Sequence, residues 1–449
     1  MNADFPTPSA TDLKGMALGT ASASMQIESV PQPSNWSHWA AQPGTIADGS
    51  TPVRTTDHWQ RWEEDNQIMD NLGLQIARVS VEWARIEPRP GQFDEEVLTR
   101  YREEFSDLRH RGIGILLTLH HFSHPLWFEE SGAFREEHNV DVFLRFVRKV
   151  VEHLGDIVDD WITINEPNVY ATEAHLFGAT PPGRGGHLAV RETIRNLALA
   201  HLRTYRYLHD TLDGPKRTVR VTFAHHKRVF TPMNKFNPIH RALTHLAEWL
   251  FQTALEPAFY EARFHPIIGT PRNLDILPAG SPAAPNVYTD AIAINYYSRT
   301  AVAGLKDATL PNKPINDLGW EIYPPGIVQV SAPLAQRYRL PVWITENGTA
   351  DNQERFRCQF ILDHLEQLAH APVTVERYYH WCLVDNWEWS EGMIPKFGLV
   401  ALDENTLERT LKPAATMMQE IIAAGAITED IRRRYRQDYP TRATATPGT

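Results

Sequence analysis

Short apolar runs alternate along this chain with longer amphipathic stretches. The runs fall at 16–20, 75–80, 112–119, 160–165, 219–224, 291–296, 341–345 and 378–384. They are apolar on both faces, which predicts strands buried in a parallel sheet and not in an open antiparallel one. Between them the period changes to that of helices. Across 94–112, Val97, Leu98, Tyr101, Phe105 and Leu108 recur at three- and four-residue steps, with Asp94 placed as N-cap and Gly112 as stop. Across 141–155, Phe143, Val147, Val150, Val151 and Leu154 repeat the design. Eight strand–helix alternations without a compositional break predict an α/β fold, a single (β/α)8 TIM barrel over 15–425. Residues 1–14 read as an N-terminal extension and 426–449 as a solvated, partly disordered tail.

One stretch departs from the alternation. Residues 30–56 carry Pro, Ser and Gly without periodicity, and so long a connection predicts a loop beside the barrel mouth.

Composition adds little to the fold but narrows the function. The formal net charge of −11 gives no electrostatic support to a nucleic-acid or anionic-membrane partner. Cys358 and Cys382 are the only cysteines, too few for a disulfide framework, so a reducing, cytoplasmic setting is expected. No apolar stretch approaches the roughly 20 residues of a membrane span. The 13 Trp suggest flat apolar platforms, for which sugar rings are natural partners.

Catalytic groups of such barrels sit at the C-terminal ends of strands. Thr163-Ile164-Asn165-Glu166-Pro167 closes the fourth predicted strand, and Ile344-Thr345-Glu346-Asn347-Gly348 closes the seventh. Either glutamate alone reads as an ordinary charged loop residue. Together they form the pair that glycoside hydrolysis needs: one carboxyl protonated to assist the leaving oxygen, the other ionised to attack the anomeric carbon. Like charges at about 5 Å push their proton affinities apart, as a retaining mechanism requires. Asn165 is placed to bond a sugar 2-hydroxyl.

These two motifs, in this order, resemble the acid/base and nucleophile signatures of glycoside hydrolase family 1. The resemblance spans about 15–397, with weaker matching to 420. It implies further site residues. Gln26 and His121 match sugar-binding positions, Asn295 an asparagine near the site, Tyr297 a tyrosine that positions the nucleophile, and Arg78 an arginine beneath it. In the run 381–392, Trp381 matches the floor under the sugar, while Glu388 and Trp389 match readers of its outer hydroxyls. Phe397 matches a ring near the 6-hydroxymethyl, and Trp320 a platform for the leaving group. Glu388 would repel a phosphate dianion, so an unphosphorylated sugar is expected. The substrate is then a small oligosaccharide or glycoside, with no metal and no organic cofactor implied. Nothing in the sequence sets the oligomeric state.

Three positions depart from the family pattern: Phe122 and Leu18 where Trp is usual, and Glu82 in a Val-Glu-Trp run similar to the archaeal-type branch. They are expected at the edge of the sugar pocket, where they bear on preference among glucose, galactose, fucose and mannose. His120, His121 and His124 form no complete metal set, and His225 and His226 read as packing or supporting residues. Cys382 reads as a small buried hydrophobe. Arg102-Glu103-Glu104 reads as a solvated helix face, and 433–436 as a surface cluster. Two alternatives stay open: a transglycosidase that passes the sugar to an alcohol, and a sugar-binding relative without chemistry. The presence of both glutamates, Asn165 and Tyr297 argues against the second.

Overall fold

Each of the eight apolar runs forms a strand, and the strands close into one parallel barrel in chain order. This computed structural model describes residues 10–29, 32–183, 185–274, 286–304 and 307–440. The barrel strands are β1 (Ala17–Ala21), β2 (Ile76–Ser80), β3 (Gly114–His120), β4 (Asp160–Asn165), β5 (Arg220–His226), β6 (Ile292–Asn295), β7 (Val342–Asn347) and β8 (Val375–Trp381). All eight are buried almost throughout, which is why the runs lack alternation.

β8 starts three residues before its apolar run because the barrel base is charged. Arg377 reaches Asp160 of β4 at 2.7 Å, and Arg220 of β5 bonds Asp160 at 2.8 Å and Glu376 at 3.1 Å. Both guanidinium groups cover the Trp343 indole. Past Trp381 the chain leaves the barrel, because Leu399 and Val400 donate to the carbonyls of Cys382 and Leu383.

The helices follow their predicted signals. α1 (His58–Asn71) precedes β2, and α2 (Glu95–His110) follows it. Asp94 Oδ1 caps α2 by accepting from the amides of Glu96 and Val97, an interaction worth about 1 kcal/mol. Leu98, Tyr101, Phe105 and Leu108 are buried as the period implies. α3 (Asn139–Leu154) buries Phe143, Val147, Val150, Val151 and Leu154.

Three expectations need correction. Residues 30–56 are not wholly irregular: Asn35–Ala40 is a helix with a Ser34–Ser37 capping box. The tail expected from 426 is folded as far as 440. Ala426–Ile427 pairs with Thr11–Asp12, Glu429–Tyr435 is helical, and Tyr439 bonds Asp363 at 2.6 Å. The remainder of the extension and tail, 1–9 and 441–449, lies outside the described residues. Third, Glu104 is not on the solvated face of α2. It turns inward to His58 Nε2 at 3.0 Å, while Asp65 takes His58 Nδ1 at 2.7 Å.

Burial alone would lower the affinity of His58 for its proton, but the Glu104 and Asp65 carboxylates outweigh it and push it to about 10. Its stabilising contribution is therefore complete below its ordinary value of 6.5 and lost as pH rises from there through 10. His58→Ala should cost about 1–3 kcal/mol: it removes a charged hydrogen bond from each of two buried carboxylates, while Asp65 keeps Arg409 and Glu104 keeps Arg100. Thermal melts of wild type from pH 7 to 10 should show a decline that is much flatter in the variant; parallel curves would contradict this.

Among the described residues no helix is long and apolar enough to cross a membrane.

Candidate active site

The bonding of the strands becomes irregular at the C-terminal rim, where β4 shifts register on β5 between Ile162 and Asn165 and β7 shifts on β6 between Ile344 and Glu346. Glu166 stands one residue beyond β4 with φ 42° and ψ 61°. A left-handed backbone at a non-glycine residue costs about 1–3 kcal/mol. Pro167, which opens the next helix, disfavours the right-handed alternative for the residue before it. Phe122 and Trp389 also have positive φ. The strained non-glycine positions of the chain thus include three at one rim.

β7 runs past Glu346 to Asn347, two residues beyond its predicted end. Arg78, fully buried in β2, donates from Nη1 to Glu346 Oε1 at 2.5 Å, and Tyr297 OH donates to Oε2 at 2.6 Å. Arg78 is further held by Asn165 Oδ1 at 2.6 Å, the Thr345 carbonyl at 3.1 Å, Thr118 Oγ1 at 3.1 Å and Asn295 Oδ1 at 3.4 Å. Glu166 has a different environment. Its Oε1 accepts from Asn295 Nδ2 at 2.8 Å and faces His226 Nδ1 at 3.0 Å. Asn295 therefore links the two carboxyls through Arg78.

Burial raises Glu346, the Arg78 cation lowers it and the Glu166 charge raises it again, to about 7. Burial also raises Glu166, but an imidazolium at His226, its hydrogen bond and the Asn295 amide together bring it below its ordinary range. The two titrate as a pair sharing protons. The permanent guanidinium charge of Arg78 and the Tyr297 phenol bond Glu346 directly and do not bond Glu166.

A cavity of about 350 Å³ opens above the pair, within the range of small-ligand sites. Of the residues expected in the site, Asn165, Glu166, His121, Tyr297, Trp320, Glu346, Trp381, Glu388, Trp389 and Phe397 line it. Gln26, Arg78 and Asn295 lie behind that lining. Glu388 Oε1 accepts from Trp381 Nε1 at 3.0 Å, and Gln26 Nε2 reaches Oε2 at 3.4 Å. Burial pushes Glu388 up to about 8 against the pull of the indole bond. His121 Nε2 lies 3.9 Å from Glu346 Oε1, and burial with the nearby Arg78 charge keeps the ring neutral. Trp320, 40% exposed, stands at the outer edge against Tyr297 and Phe397. Gln26 Oε1, His121 Nδ1 and Asn165 Nδ2 are buried polar atoms without a protein partner among the described residues. Such atoms are few in folded proteins and suit a polyhydroxylated ligand.

Not every departure from the pattern reaches the pocket. Phe122 lines it, but Leu18 is core, paired in register with Tyr378 of β8. Glu82 is buried behind the rim, where it accepts from Ser123 Oγ at 2.9 Å, and burial pushes it to about 7. Cys382 is buried with Sγ 3.1 Å from the Val384 carbonyl. Several lining residues had no motif to reveal them. Trp36, from the 30–56 stretch, packs on Trp387 and Trp389, and Tyr170, Glu173, Leu318, His226 and Arg228 join it. For His226 the available signal was its place at a strand's C-terminal end.

A parallel barrel with two opposed carboxyls at the ends of β4 and β7, and an indole-bound carboxylate beside them, has the makings of a glycoside hydrolase. The model of Glycosyl hydrolase family 1 matches residues 13–426. A 1,4-beta-D-glucan glucohydrolase of Thermotoga neapolitana is 28% identical, over 93% of this chain and 99% of that protein. The chloroplastic galactolipid galactosyltransferase of Arabidopsis thaliana is also 28% identical, over 82% of this chain and 58% of its own. The solved family 1 β-glucosidase of Thermotoga maritima superposes with a TM-score of 0.85 at 26% identity, covering 94% of this chain and 100% of that one. The chain belongs to glycosyl hydrolase family 1 and is a glycoside hydrolase.

Proposed function

We propose that the chain is an exo-acting retaining β-glycosidase in which Glu346 is the nucleophile and Glu166 the general acid/base. The observation that carries this division is the permanent Arg78 cation, joined by Tyr297, on Glu346 alone. In the first step Glu346 bonds to the anomeric carbon as the bond to the leaving oxygen breaks, and Glu166 gives that oxygen its proton. In the second, Glu166 takes a proton from water, whose oxygen bonds to the same carbon as the bond to Glu346 breaks. Asn165 is assigned to the 2-hydroxyl, where its contact strengthens in the transition state. Gln26, His121, Trp381, Glu388, Trp389 and Phe397 are assigned to the sugar, and Trp320 to the leaving group.

The sugar is a terminal, unphosphorylated β-linked hexose, glucose or galactose before fucose or mannose. Glu388, held by the Trp381 indole and Gln26, presents oxygens to paired hydroxyls and itself offers a phosphate dianion no cation. Transfer to an alcohol is a second reading, supported by the apolar outer lining of Phe122, Tyr170, Leu318 and Trp320 and by the transferase relative. A panel of aryl β-glycosides, followed by proton NMR of the first product, tests both. The β-anomer of the released sugar should appear first, and an added alcohol should divert product to the β-glycoside under the second reading. First release of the α-anomer would exclude retention.

A further inference from the structure

The steps above leave His226 without a task, although it faces Glu166 directly. It ends β5 and pairs in register with Asn295. Its carbonyl accepts from Asn168 Nδ2 at 2.9 Å. Its ring lies nearly parallel to Tyr297, at 19° and 6.1 Å, and edge-on to Phe251 at 5.9 Å. The imidazole is therefore fixed from backbone and both flanks. Its Nδ1 and Asn295 Nδ2 meet the same carboxyl oxygen, Oε1 of Glu166. An oxygen that accepts two N–H bonds is a poor seat for a proton. Glu166 Oε2 has no protein partner among the described residues, and Glu166 lines the cavity.

We infer that His226 is a positioning residue for Glu166: its Nδ1–H bonds Oε1 and directs the transferable proton to Oε2. The inference rests on Glu166 being the acid/base. In the first step the proton leaves Oε2 for the glycosidic oxygen, which departs with the electron pair of its bond to the anomeric carbon. The carboxylate left behind is a stronger acceptor, so the His226 bond tightens as charge develops. In the second step a proton of water returns to Oε2. The same ring lines the cavity through which leaving group and water pass, so its orientation also bears on what can approach Glu166.

The groups that face this dyad are few and can be named. Glu346 and Arg78 lie across Asn295, and Tyr297 stacks on the ring. Lys227 is paired with Glu256 at 2.5 Å, His225 lies beside it in the strand, and Arg228 and Glu173 line the same cavity. Among the described residues, the side chains that bond Glu166 are those of His226 and Asn295. Removing the imidazole leaves burial as the main influence, and burial favours the neutral acid.

His226→Phe keeps an aromatic ring and drops Nδ1, while His226→Asn keeps an N–H near the Nδ1 position. kcat/KM is measured against pH with an alkyl β-glucoside, whose leaving group needs the proton, and with the 2,4-dinitrophenyl glucoside, which does not. For His226→Phe the alkaline limb with the alkyl substrate should move up by about one pH unit. At the optimum its turnover should fall roughly tenfold, with a clearly smaller loss on the dinitrophenyl substrate. His226→Asn should restore both limb and rate to within a few-fold of wild type. An unmoved alkaline limb, equal losses on the two substrates, or an Asn variant as impaired as the Phe variant would each overturn the inference. His226→Ala, which removes the ring, provides the same measurement from a second background. Glu166→Ala run alongside separates the two levels: undiminished turnover of the alkyl glucoside by that variant would remove the acid/base assignment itself.

Discussion

Glu346→Gly is expected to lower turnover of an aryl β-glycoside by on the order of 10⁵-fold, the scale of losing a catalytic nucleophile. Added azide should restore part of the rate and yield the α-glycosyl azide. The surroundings of Glu346 explain both halves. Its carboxylate fills a place between the Arg78 guanidinium and the Tyr297 phenol. Glycine there leaves room for a small anion beside a fixed cation. Arg78 keeps four other acceptors, Asn165, Thr345, Thr118 and Asn295, so the buried charge is not stranded and the barrel should hold. Azide entering there attacks the anomeric carbon from the face Glu346 would have used, inverting the β-glycoside. Kinetics with and without azide, and NMR of the product, give the answer. A variant with turnover near wild type, or rescue giving only the β-azide, is incompatible with Glu346 as nucleophile.

The barrel was legible because its strands are buried on both faces, so apolar runs and helical periods separate cleanly. What the pattern concealed was polar structure satisfied from far along the chain. Arg377 and Glu376 obscure the start of β8 because their partners, Asp160 and Arg220, lie on other strands. Glu104 reads as a surface charge on its own helix, and its partner His58 is 46 residues away. The 30–56 stretch is held by side-chain contacts with the loop after β8, such as Met393 N to Asp48 and Trp387 Nε1 to Ser50, which leave no periodicity.

The site divides the same way. Glu166 and Glu346 could be reached from strand position and chemistry alone. Gln26 and Glu388 stand 362 residues apart and meet because β8 closes on β1. Spacing in the chain carries no trace of that meeting, and only the family resemblance put them together beforehand. Leu18 shows the opposite limit: the same comparison of motifs drew attention to it, yet its side chain packs in the core. A motif position does not reveal the direction of a side chain.

Glu166→Ala should separate substrates by leaving group, with a loss of roughly 10³-fold on alkyl β-glucosides and a far smaller first-step loss on the dinitrophenyl glucoside. The first step on an activated substrate needs no proton, and Glu346 with its Arg78 and Tyr297 contacts is untouched by the change. The second step still lacks its base, so the glycosyl-enzyme should accumulate and appear as a burst of dinitrophenol. Azide needs no deprotonation and can approach where water would have been activated. It should speed turnover and yield the β-glycosyl azide, the opposite anomer to that from Glu346→Gly. The pair of products is a stronger test than either rate, because a general loss of structure lowers rates without choosing an anomer. The residual turnover of the alkyl substrate should also lose its alkaline limb, since the group that titrates there is gone. A limb that persists would place the titrating proton on another group, and equal losses across leaving groups would take the acid role away from Glu166.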